Sequence, residues 1–121
     1  MKGARILLVD DEPSVVRFVG MALEQSGFVV EGARDAAEAI ALADRRLFDA
    51  VVLDFRLPGL DGAHALAEIR KAQPGIAAIF SSGQISPVLI DHAARLGART
   101  LEKPYRISAL VGALADILRR P

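Results

Sequence analysis

Apolar residues along this chain change their period as it is read. Short unbroken apolar runs alternate with longer stretches in which apolar positions recur every three or four residues. The first run, Arg5–Val9, is strand-sized. After it Pro13 suits the first turn of a helix, and Val15, Val16, Val19, Ala22 and Leu23 share one face. Gly27 is expected to end that helix as a left-handed cap. Phe28–Ala33 reads as a second strand. Asp35 can then N-cap a helix carrying Ala36, Ala39, Ile40 and Ala43 inward. Ala50–Leu53 is apolar without alternation, as expected of a strand covered on both faces. Leu57-Pro58-Gly59 signals a turn, and Asp61 can cap a helix with Ala65, Leu66 and Ile69 inward. Pro74-Gly75 breaks that helix before a fourth strand, Ile76–Phe80. Ser86-Pro87 opens a helix that Gly97 closes. Ala98–Leu101 is the fifth and weakest strand. The last helix places Ile107, Leu110, Val111, Leu114, Ile117 and Leu118 on one face, and Arg119-Arg120 suit its C-terminal dipole.

Five β–α units in 121 residues imply a parallel sheet with helices on both faces. Five right-handed crossovers close only part of a barrel, so an open doubly wound α/β sheet is expected. Ligands of such sheets bind beyond the carboxyl ends of the strands, where strand order reverses. At roughly 100–200 residues per domain, residues 1–121 form one domain, long enough to bury a core without staples.

Composition removes several functions. There is no cysteine, which excludes disulfides, thiolate catalysis and Cys-based metal centres. Fifteen basic residues balance fifteen acidic ones, and only Lys2, Lys71 and Lys103 are lysines, so no basic face for direct nucleic-acid contact is expected. With five Phe, one Tyr and no Trp, no base-stacking platform is expected. A hydrophobic content of 52% raises the question of a membrane, but no apolar run approaches the ~18 residues of a spanning helix. No membrane insertion is expected, no signal peptide is visible, and the protein reads as cytoplasmic.

The carboxyl ends of the strands carry the chemistry. Strand one leads into Asp10-Asp11, strand three into Asp54, strand four into Ser81-Ser82-Gly83, and strand five into Lys103-Pro104. A lone aspartate at a strand end is usually a turn or helix cap, and a lone serine a turn residue. All of them at one edge of one sheet is a different matter. With strands one and three adjacent, three carboxylates converge and repel one another. A hard divalent cation relieves that repulsion, and Mg²⁺ suits one or two carboxylates plus water and phosphate oxygens. Lys103 offers a second positive charge, the Ser82 hydroxyl a donor, and Gly83 room for close approach. These are the parts of a phosphoryl-transfer site with a carboxylate nucleophile. His64 and His92 are expected on helices away from these ends and receive no role.

Four stretches together resemble the receiver domain of the bacterial response-regulator family. They are Ile6–Glu12 (ILLVDDE), Val51–Gly62 (VVLDFRLPGLDG), Ser82-Gly83 and Gly97–Tyr105 (GARTLEKPY), in the family's order across nearly the whole chain. The resemblance implies a (βα)5 flavodoxin-like fold with strand order 2-1-3-4-5. It implies a two-component phosphorelay function and a signalling domain, not a turnover enzyme. Asp54 would be the phosphoacceptor, taking the group from the phosphohistidine of a histidine kinase or histidine phosphotransfer protein. Asp11, Asp54 and the backbone carbonyl of Arg56 would bind Mg²⁺ (or Mn²⁺), with Asp10 assisting through water. Lys103 would pair with the acceptor and then with the phosphoryl oxygens, and the Ser82 hydroxyl would follow them. The Lys103-Pro104 bond would be cis.

The chain departs from the family pattern in three places. Thr100 stands where the family often has a switching aromatic. Arg56 and Gln84 occupy the positions that flank the phosphoryl group and tune its hydrolysis. Arg56 would screen the site from water or pair with Glu12, giving slow hydrolysis. Arg106 replaces a capping residue before the last helix. Kinases would dock on the first helix, where Val15, Phe18, Val19 and Met21 exceed the needs of one buried stripe. Helix four, strand five and helix five would form the face for a downstream protein or a homodimer, with Val88, Leu89, Ala109, Ala113 and Arg99 as candidates. The sequence as it stands reads as a receiver with no output domain, or as a piece of a longer protein. The competing readings are an Asp-nucleophile phosphatase of the haloacid-dehalogenase type and a pseudo-receiver that is never phosphorylated. Arg56, where the phosphatases have a second aspartate, argues against the first; the complete set of Asp10, Asp11, Asp54, Ser82 and Lys103 argues against the second. A nucleotide-binding flavodoxin-like protein lacks its phosphate-cradling glycine motif here.

Overall fold

A computed structural model describes residues 3–119. Arg120, expected to complement the last helix dipole, lies outside the described residues. The five strands are β1 (Arg5–Val9), β2 (Val29–Ala33), β3 (Ala50–Asp54), β4 (Ala77–Ser82) and β5 (Arg99–Glu102). The five helices are α1 (Pro13–Gln25), α2 (Ala36–Arg45), α3 (Gly62–Ala72), α4 (Pro87–Leu96) and α5 (Ile107–Leu118). All strand pairs are parallel, in the order β2-β1-β3-β4-β5. The expected fold is the observed one.

Alternation along each strand divides the core in two. Leu7, Val9, Val51, Leu53 and Phe80 point to the face covered by α2, α3 and α4. Ile6, Leu8, Val52 and Ile79 point to the face covered by α1 and α5, through Leu23, Leu110, Leu114 and Ile117. Fully burying side chains of this size is worth roughly 1.5–3 kcal/mol each, before the entropy of ordering them.

The caps expected at Asp35, Asp61 and Ser86 are present, each side chain accepting from a backbone N–H in the first turn of its helix. Gly27 and Gly97 both take positive φ after their helices. Arg106 makes no capping hydrogen bond, and neither does Glu12 before α1. Four strands differ from expectation by a residue or two: β2 begins at Val29, β3 runs on to Asp54, β4 begins at Ala77, and β4 and β5 both extend further at their carboxyl ends. Ser81 and Ser82 belong to β4, because they pair with Leu101 and Glu102 of β5. β5 itself begins at Arg99, one residue later than expected, and runs on to Glu102. Among the described residues no helix is long and apolar enough to cross a membrane.

Candidate functional site

Strand register builds the site. Val9 lies opposite Leu53, so Asp10 and Asp54 emerge side by side from β1 and β3. Ser82 lies opposite Glu102, so Lys103 follows immediately beyond it. The Lys103 N–H donates to the Ser82 carbonyl at 2.8 Å, and the Lys103-Pro104 peptide is cis. From there the Lys103 ammonium donates to Asp10 Oδ2 at 2.6 Å and to Asp54 Oδ2 at 3.1 Å. Burial by itself would lower the pKa of Lys103, but hydrogen bonds to Asp10 and Asp54 and their charges outweigh this and hold it above its ordinary value.

Each carboxylate has its own setting. Asp10 is almost wholly buried, and its Oδ1 accepts from the Glu12 N–H at 3.0 Å. Asp54 is half-buried, with Oδ1 accepting from the Arg56 N–H at 3.1 Å. Asp11 is exposed. One carboxylate oxygen from each of the three lies within 4.8 Å of the others. All-oxygen donors of this charge fit a hard divalent cation. The carboxylates and Lys103 stand where the sequence placed them; the direct Asp10–Lys103 contact was not foreseen.

Ser82 is buried, and its hydroxyl is engaged with Gln84. It donates to the Gln84 carbonyl at 2.9 Å and accepts from the Gln84 N–H at 3.2 Å. Gln84 therefore meets Ser82 through its backbone, which residue type alone could not reveal. Arg56 lines a cleft of about 440 Å³ with Glu12, Asp54, Ser82, Gly83, Gln84 and Lys103. Its expected ion pair with Glu12 is not among those of the described residues. Thr100 sits in β5 opposite Phe80.

The loop after β3 is shaped by a glycine the sequence reading passed over. The Gly62 N–H donates to the Phe55 carbonyl at 2.6 Å, and a Cβ at Gly62 would fall 2.8 Å from Phe55 Cα and 2.9 Å from the Asp54 carbonyl oxygen. His92 is nearer the site than expected: packing of α4 over the β3 loop, invisible in the local pattern, sets it against the Phe55 ring at 5.7 Å. His64 stays within the start of its own helix, its Nδ1 bonding to the Asp61 carboxylate at 2.8 Å.

A second cleft adjoins Lys103. Val15 and Val19 of α1 face Pro104 and Tyr105 across about 400 Å³, and Phe18 and Met21 stand 66% and 51% exposed on the same helix. Burial pushes the Tyr105 phenol pKa up. On the α4–β5–α5 face Val88, Ala109 and Arg99 are exposed and Ala113 is half-buried. Leu89, expected on that face, is wholly buried in the core against the sheet.

A family model described as "Response regulator receiver domain" matches residues 6–115. The chain belongs to that family. It is 37% identical over 119 residues to the transcriptional regulatory protein TrcR of Mycobacterium tuberculosis, covering 96% of this chain and 46% of that protein. The chain spans half or less of the length of the curated relatives it matches. A CheY-like receiver from Methanospirillum hungatei superposes with a TM-score of 0.91 at 28% identity, covering 97% of this chain and 94% of the other. A response regulator from Burkholderia pseudomallei, solved with a phosphorylated aspartic acid, calcium ion and citrate, superposes at 0.85 with 26% identity, covering 92% and 66%. This chain is a receiver, a signalling domain of a family of phosphoacceptors, and the phosphatase reading falls away with that membership.

Proposed function

We propose that this receiver accepts a phosphoryl group on Asp54 from the phosphohistidine of a histidine kinase or histidine phosphotransfer protein. The observation that carries the proposal is Lys103, whose ammonium joins the Asp10 and Asp54 carboxylates at the mouth of an open cleft. An Asp54 carboxylate oxygen forms the new bond to phosphorus as the bond from phosphorus to the imidazole nitrogen breaks, and the electron pair leaves with the imidazole. The incoming group is already activated, so transfer through a loose transition state needs positioning and charge neutralisation more than a strong base. Asp11, Asp54 and the Arg56 carbonyl would hold Mg²⁺ or Mn²⁺, which when bound neutralises charge on carboxylate and phosphate alike. Asp10, its Oδ2 taken by Lys103 and its Oδ1 by Glu12, suits an assisting role. The Burkholderia relative, solved with a phosphorylated aspartic acid and a calcium ion, supports the reading.

Lys103 orients Asp54 before transfer and meets the phosphoryl oxygens after it. The Ser82 hydroxyl exchanges its bond to Gln84 for one to the phosphoryl group, which shifts the population of the loop that leads into α4. The cleft between α1 and Tyr105, with Phe18 and Met21 beside it, is the docking surface for the kinase. The α4–β5–α5 face meets the downstream protein or a second receiver.

Intact mass after incubation with acetyl phosphate and Mg²⁺ tests the assignment. The expected result is one phosphate adduct that Asp54→Asn abolishes. No adduct on the native chain would establish the pseudo-receiver, and an adduct that survives Asp54→Asn would place the acceptor elsewhere.

A further inference from the structure

The residue after the acceptor is tied to α4, and this inference rests on reading Asp54 as that acceptor. The Phe55 main chain is held on both sides. Its N–H donates to the Ser81 carbonyl of β4 at 2.9 Å, and its carbonyl accepts from the Gly62 N–H at 2.6 Å. The absence of a Cβ at Gly62 lets α3 close against Phe55 Cα. The point from which the Phe55 side chain springs therefore moves with the Asp54 main chain. It stands edge-on to Phe80 with centroids 5.6 Å apart, and it meets His92 in α4 at 5.7 Å.

α4 is secured at its two ends. Ser86 caps its first turn, and the Arg70 guanidinium of α3 donates to the Leu96 carbonyl in its last turn. Between those ends Leu89 and Ala93 enter the core and His92 touches Phe55. On β5 the residue in register with Phe80 is Thr100, which carries no ring. The ring route from the acceptor to the outer face thus runs through α4, not through β5.

We propose that the Phe55–His92 contact is the conformational relay by which phosphorylation of Asp54 repositions α4. A shift in the Asp54–Phe55 main chain moves the Phe55 ring. Phe80 backs the partly buried Phe55 ring on one side, so the motion passes on to His92 and through it to α4. Asp54 chemistry itself does not need His92, which makes it a positioning residue for the output face.

Backbone amide NMR of the full chain, with and without beryllofluoride and Mg²⁺, tests this. In the native protein, shifts are expected at residues 10–11, 54–56 and 82–84 and also along residues 87–96. In His92→Ala the site shifts should persist, while coupling to 87–96 weakens roughly 2- to 30-fold, the range produced by mutations along a packed network. His92→Phe, which keeps a ring, should restore the response. An undiminished α4 response in His92→Ala overturns the relay, as does a response that neither Ala nor Phe supports. No shift at 10–11, 54–56 and 82–84 in the native protein overturns the phosphoacceptor reading itself, and the relay with it.

Discussion

Arg56 and Gly62 bracket the acceptor loop, and each acts there through a different property. Arg56 extends into the phosphoryl cleft without an ion-pair partner among the described residues, so its side chain is free to shield the phosphoryl group from water. Arg56→Ala should shorten the lifetime of phospho-Asp54, read as loss of the phosphate adduct with time by mass spectrometry; an unchanged lifetime removes Arg56 from hydrolysis control. Gly62 acts by having no side chain. A methyl group there meets Phe55 Cα and the Asp54 carbonyl, both backbone atoms that cannot rotate away. Gly62→Ala should cost about 1–3 kcal/mol of overpacking strain and slow phosphorylation by acetyl phosphate. A urea midpoint and phosphorylation rate equal to the native protein's would show that the loop relaxes freely. Asp54, Lys103 and Ser82 were legible as neighbours because the alternating pattern put an aspartate, a lysine and a serine at the strand ends of one sheet edge. Gly62, Phe55 and His92 stayed hidden because their roles are contacts between elements, and a glycine in a helix start or a histidine in a helix has many local explanations.

Helix starts were the most legible elements. Asp35, Asp61 and Ser86 announce themselves because capping is a bond between a side chain and its own next turn. The end of β4 was less legible, since two serines look like a turn until β5 pairs with them. Gln73 shows the same limit. It is buried, accepts from the Phe48 N–H and donates to the Ala43 and Arg46 carbonyls, stapling the end of α2 to the approach of β3 across a distance no local pattern records. The cap of α3 carries a pH dependence. Burial alone would raise the pKa of Asp61, but hydrogen bonds from the His64 N–H and imidazole, with the charges of His64 and His92, outweigh it and hold Asp61 below the ordinary carboxylate range. A carboxyl depressed by folding stabilises the fold above its unfolded pKa, about 3.9, and that stabilisation is lost as pH falls through the lower folded value. Asp61→Asn keeps a competent cap and removes the charge. Its stability deficit against the native protein, from urea denaturation, should be present at about pH 6 and shrink below about pH 4. A deficit constant across that range would assign the whole effect to cap geometry.

At the scale of the molecule, charge is balanced but not evenly placed. Fifteen basic and fifteen acidic residues cancel over the chain, while three carboxylates share one edge of the sheet with a single close ammonium. The fold is held by its two apolar layers and accommodates this concentration because β1 and β3 must be neighbours for the sheet to form. Repulsion among the carboxylates is therefore a cost carried by the folded state and largely absent from the unfolded chain, where they are far apart. A divalent cation that binds the folded cluster relieves that cost and stabilises the whole domain by mass action. At 100 times its dissociation constant, Mg²⁺ should add about 2.7 kcal/mol to the free energy of unfolding. Asp11→Asn, which removes the most exposed carboxylate without touching the Lys103 contacts, should lose most of that gain. Sodium chloride at matched ionic strength screens exposed charges but supplies no coordinated ion, so it should not reproduce the effect. Urea unfolding in each condition decides the matter: equal gains in the native and Asp11→Asn proteins, or an equal gain from sodium chloride, would mean that the cluster is only a screened acidic patch.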